Sequence, residues 1–175
     1  MTTYNFQDGN GPVAAHQHSN GGGWVADTAA VDATAFVGPN AKVFGNAKVF
    51  DNALVSGYAK VSGNVLVYGD ACVYGNAKVF GTACVYGNAK VYGYAEVFGN
   101  ARVLGNALVF DDAYVFDDTE VSGNALVFGN ALVSGSAKVS GNALVYGNAL
   151  VSGSAKVSGN ALVYGNARVF DNVYW

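Results

Sequence analysis

The side chains able to do acid–base or metal chemistry fall into three small groups. His16 and His18 are one residue apart, so an extended strand would turn both imidazoles to one side, where several copies of the chain could gather them around a transition metal. The chain has only these two histidines. Without a third ligand the pair reads as part of a polar N-terminal cap, and no metal or cofactor is assigned. Asp111, Asp112, Asp117, Asp118 and Glu120 crowd into two successive six-residue units. Carboxylates bunched at neighbouring corners would suit Ca²⁺; the plainer reading is a solvated turn in which aspartate replaces glycine and asparagine. Cys72 and Cys84 occupy the same position of units two apart and read as small apolar residues in a reducing compartment. No residue is assigned a catalytic role.

The elements that carry these residues are six residues long. From Gly21 to Phe170 the chain is 25 uninterrupted hexads, with a partial one at 171–175. Valine fills the fifth position of every full hexad, and alanine the third except at Gly23, Val65 and Thr119. Residues 129–146 recur unchanged at 147–164, which nests the period of six inside one of eighteen. Two small or β-branched residues two apart face one side of a strand, and the Gly-Asn pair that opens about half of the hexads suits a sharp turn at positive φ. Each hexad therefore predicts a strand of about four residues and a corner. Three such sides close a coil, so one rung takes eighteen residues and about eight rungs make a rod roughly 40 Å long at ~4.8 Å per rung. A period of six cannot keep a helical stripe, and glycine is costly in helix interiors. The expected fold is an all-β, three-sided parallel solenoid without a capping α-helix, with residues 1–20 as an N-terminal extension or cap and 21–175 as the repeat. Cys72 and Cys84 then lie on different sides, which excludes a disulfide between them.

Composition agrees with one domain of this kind. The chain has 175 residues, 51% of them hydrophobic and only 12% charged, with a net charge of −3. No basic tract is present to attract nucleic acid or an anionic membrane. No apolar run would span a bilayer, and no basic-then-apolar leader opens the sequence. The expected location is the cytoplasm or a virion.

Ala47 followed two places later by Val49, repeated hexad after hexad, resembles the left-handed parallel β-helix of hexapeptide-repeat proteins. The left hand is what the resemblance implies, since parallel crossovers otherwise favour the right hand. The segment Asn20 to Ala29, NGGGWVADTA, is similar to the opening of a Gly-Gly-Trp subgroup of the transferase-like superfamily found in bacteria and in phage or prophage genomes. Relatives implied by the fold include acyltransferases and γ-class carbonic anhydrases. The anhydrases surround zinc with three histidines at a subunit interface, whereas here both histidines precede the repeat. The acyltransferases carry a histidine base, loops that interrupt the coil and often a C-terminal helix, and this chain departs from all three. Fold likeness does not establish activity, and the expectation is a protein that is not an enzyme.

Sorting outward residues by every third hexad separates the three faces. One carries Trp24, Lys42, Lys60, Lys78, Glu96, Tyr114, Leu132, Leu150 and Arg168, and a second Ala30, Lys48, Leu66, Cys84, Arg102, Glu120, Lys138, Lys156 and Tyr174. The third is an apolar wall of Phe36, Leu54, Cys72, Leu108, Leu126, Leu144 and Leu162, broken by Lys90 and flanked by Tyr74, Tyr92, Phe110, Phe128, Tyr146 and Tyr164. A strip of about 38 by 12 Å approaches the largest apolar patch a monomer leaves exposed. Aromatic stacking along the rod would still leave its leucines wet. The expected partner is the chain itself, as a homotrimer packed through this wall, with a dimer as runner-up. Trp24 and Trp175 are expected at the two ends, covering rungs that would otherwise expose unpaired backbone.

Three function classes follow. The first is a non-catalytic structural or assembly rod, with a phage or another assembly as partner, because loops that would carry binding and catalysis are missing. The second is an acyltransferase or carbonic-anhydrase-like enzyme. The third is an ice- or surface-binding solenoid, which would require a flat ladder of threonine-like residues that these faces lack.

Overall fold

The computed structural model describes residues 2–171, all of them strand, turn or irregular chain. The repeat winds into a β-solenoid of about eight turns. Its strands form three parallel sheets in which every partner lies eighteen residues away, as Val109 pairs with Val127 and Val127 with Val145. The first face runs from Trp24–Ala26 to Arg168–Phe170, the second from Ala30–Val31 to Lys156–Val157, and the third from Phe36–Val37 to Leu162–Val163. The third and fifth residues of each hexad point inward. From Val37 to Val145 every one of them is fully buried, alanine at the third position and valine at the fifth, with Val65 and Thr119 in place of alanine.

The strands are shorter than the expected four residues. Most contain two, such as Lys78–Val79; only Leu66–Gly69 and Cys84–Gly87 reach four. The corner turns the chain out of strand geometry after the fifth residue, yet the hydrogen bonding between rungs continues through it. Lys60, Ser62 and Asn64 donate their N–H groups to Ala77, Val79 and Gly81 of the next rung at 2.7–3.0 Å. Backbone pairing therefore does not stop where the strand does, which answers the accounting that buried amides impose.

At the corner only the first residue of the Gly-Asn pair takes positive φ, 69° at Gly45 and 72° at Gly75. Where the turn closes, the N–H of Ala53 reaches Phe50 O at 3.3 Å, and the φ pattern is that of a type II′ turn. Aspartate substitutes for this glycine at 51, 111 and 117, with φ of 57–60°. Each of these carboxylates accepts the N–H of the corner residue one rung on, Gly69, Gly129 and Gly135, at 3.0–3.3 Å. That bond offsets the strain of a side chain in left-handed backbone. The first rung turns differently: Asp27, Ala33 and Pro39 do not take positive φ, and at Pro39 the ring itself forbids it.

The N-terminal residues add a hairpin to the starting edge. β1 (Thr3–Asn5) pairs antiparallel with β2 (Pro12–Gln17), and β2 pairs antiparallel with β3 (Trp24–Ala26). Residues 6–11 connect the two strands of the hairpin, and within them Asp8 accepts the Asn10 N–H at 3.1 Å. Phe6, Ala15 and Ala26 are buried beneath it against Tyr4, Trp24 and Phe44.

Candidate interaction surfaces

The third face is the column anticipated from sequence: Phe36, Leu54, Cys72, Lys90, Leu108, Leu126, Leu144 and Leu162 occupy successive paired positions. Beside it Tyr74, Tyr92, Phe110, Phe128, Tyr146 and Tyr164 form one continuous stack with centroids 4.8–5.5 Å apart. The leucines are drier than expected. Each is flanked along the column by the residue one rung away, so Leu54, Leu108, Leu126 and Leu144 are partly buried, and only Leu162, at 57%, is largely exposed. Burial also pushes the Tyr74 and Tyr92 hydroxyls above their ordinary pKa of 10.0.

Shorter stacks, unsuspected from the sequence, mark the other faces: Phe80, Phe98 and Phe116 on the first, Tyr68 and Tyr86 on the second. The corners carry amide ladders as well. Asn106, Asn124, Asn142 and Asn160 pass a side-chain hydrogen bond from each rung to the next at 3.0–3.1 Å, and Asn130, Asn148 and Asn166 do the same at 3.3 Å. The signal was available in the sequence, because these asparagines recur at intervals of eighteen. Reading asparagine only as a turn residue overlooked its side chain.

The residues with chemical potential do not converge. His16 is exposed, and its Nδ1 lies 2.8 Å from Asp27 Oδ1; His18 is buried, and its Nε2 donates to Ala35 O at 3.0 Å. The strand ends at Gln17, so the alternation that would have set both rings on one side is broken before His18. Asp111 and Asp112 lie on one corner, Asp117 and Asp118 on the next, and Glu120 on the second face, 3.8 Å from Arg102. Asp118 instead accepts the Asn100 side chain at 2.8 Å. Among the described residues no three histidine, cysteine or acidic groups come together as a metal site would need.

Cys72 sits on the third face and Cys84 on the second, both free. Burial raises both thiol pKa values above the ordinary 9.0, which keeps them protonated rather than nucleophilic at neutral pH. Trp24 is half-buried at the hairpin junction and stacks on Tyr4, with centroids 4.4 Å apart. Trp175 lies outside the described residues.

The repeat of the last rungs is similar to a known family. The model of the YdcK beta solenoid repeat matches residues 121–135, 137–153, 145–159 and 155–169, each match about one turn of this coil. No curated protein matches the chain.

Proposed function

We propose that the protein is a non-catalytic assembly rod that packs against copies of itself through the third face. The observation that carries this reading is the unbroken apolar column: from Leu108 to Leu162 every outward residue of the strands is leucine, and a continuous aromatic stack lies beside it. The other two faces interrupt their columns with lysine, arginine and glutamate. A pair of copies joined through the strip alone would bury only about 900 Å² in total, below the ~1,200 Å² of a stable pair. Closure around a threefold axis adds contact on both flanks of each copy, which favours the trimer. The resemblance of the Gly22-Gly23-Trp24 segment to the opening of a bacterial and phage subgroup supports a role as a structural part of a particle.

The test replaces Leu126 and Leu144 by lysine and weighs the particle by light scattering. These side chains point outward, so the coil should persist while the assembly falls to single chains. A folded double variant of unchanged mass would refute the interface.

A further inference from the structure

The first face carries a second surface, of different chemistry. Between the hairpin and the last rung, the large hydrophobic side chains that stand well exposed are Tyr58, Tyr94 and Tyr114, at 64%, 64% and 41%. All three belong to hexads of the first face. Tyr58 and Tyr94 sit at its leading corner on alternate rungs, where Asn40, Asn76, Asp112, Asn130 and Asn148 occupy the same column. Tyrosine there interrupts the polar corner column and leaves two rings about 9.6 Å apart, two rungs at strand spacing. Such rings are rigid, apolar on the face and polar at the tip, a combination suited to binding surfaces.

Charge lies alongside. Lys42, Lys60 and Lys78 stack on consecutive rungs of this face. Like charges in directly paired positions are unfavourable. The column is relieved at its ends, where Lys42 lies 5.1 Å over the Tyr4 ring and Lys78 meets Glu96 at 2.7 Å. Among the described residues Lys60 has no carboxylate within ion-pair distance. Its neighbour two residues back, at the corner that leads into the same strand, is Tyr58.

We propose that this face binds an acidic polysaccharide laid along the rod, with sugar rings stacked on Tyr58 and Tyr94 and a sugar carboxylate at Lys60. The exposed amide of Asn76, between the two tyrosines, offers hydrogen bonds to ring hydroxyls. A single-stranded nucleic acid would also stack on aromatic rings, but it needs a long basic track. Here three lysines stand on a chain of net charge −3, which suits a polymer with sparser charge. The inference uses a different face from the self-association reading and survives that reading's failure.

The test titrates the full chain with a hexamer of galacturonic acid by calorimetry, beside a neutral xylan hexamer and oligothymidylate. The acidic sugar should bind best, and more weakly as salt rises. Replacing Tyr58 and Tyr94 by asparagine, the residue native to that column, should lower its affinity by about tenfold per ring. Lys60→Ala should remove the preference for acidic over neutral sugar. Absence of binding, binding unchanged in these variants, or tighter binding of oligothymidylate would each overturn the proposal.

Discussion

Thr119 offers the sharpest test of how the core is built. Its side chain is fully buried, and Oγ1 has no hydrogen-bond partner. An orphaned buried hydroxyl costs about 1–3 kcal/mol. Replacing it by a methyl group adds roughly 0.8 kcal/mol of apolar burial. The space is suitable, because Val65 fills the equivalent position of the same inward column, three rungs earlier, with no exposure. Thr119→Val should therefore stabilise the protein by about 2–4 kcal/mol. Thr119→Ala removes the hydroxyl but leaves a methyl-sized gap, so its gain should be smaller; Thr119→Ser keeps the hydroxyl and should be less stable than the natural chain. Denaturant midpoints at unchanged slope give the ranking. Hydrogen exchange at Arg102, whose N–H donates to Thr119 O at 2.9 Å, reports the same change locally. A valine variant no more stable than threonine would show that the hydroxyl is satisfied and would refute the reasoning.

Other consequences are equally accessible. Gly63→Ala places a Cβ 2.6 Å from Gly81 O at φ of +81°, and should destabilise by about 1–2 kcal/mol or more; Gly147→Asp, which reproduces the corners at Asp51, Asp111 and Asp117, should lower the denaturant midpoint less. Asn124→Ala breaks its links to both Asn106 and Asn142 and should cost about 1 kcal/mol in equilibrium unfolding, the low end expected of two exposed hydrogen bonds. Deleting residues 147–164 removes one duplicated rung, and small-angle scattering should find a folded rod about 4.8 Å shorter. Removing only 147–152 should also fold, because any hexad supplies Ala and Val to the core, but it moves Tyr164 out of the Tyr146 column and puts Phe170 in its place.

Most of the architecture could be read from two inward positions. Val109, Val127 and Val145 differ by eighteen in sequence and sit one above another in space, so an invariant period translated directly into register. The outward columns followed for the same reason, and the third-face leucines lie where their spacing put them. Non-repeating segments were harder. Nothing periodic marks Thr3–Asn5 and Pro12–Gln17 as antiparallel partners, and the burial of His18 depends on a loop that folds back onto Ala35. The corner aspartates were recognised as turn residues, but their bonds to Gly69, Gly129 and Gly135 needed the stacked neighbour to be visible. Exposure was the other gap: a leucine judged alone looks wet, whereas a leucine between two others is half covered.

The constant spacing of partners has a kinetic consequence. The strand pairs and backbone ladder of the repeat join residues seventeen or eighteen apart from rung to rung, so each added turn closes a loop of the same modest length and meets the same entropic barrier. No distant termini must find one another before the sheets can grow. Once a first pair of turns has formed, the remainder can zip on in either direction at a nearly uniform rate, as expected of quasi-one-dimensional chains. A lengthened version would then take longer to fold in proportion to its added turns, rather than meeting a steeper topological penalty.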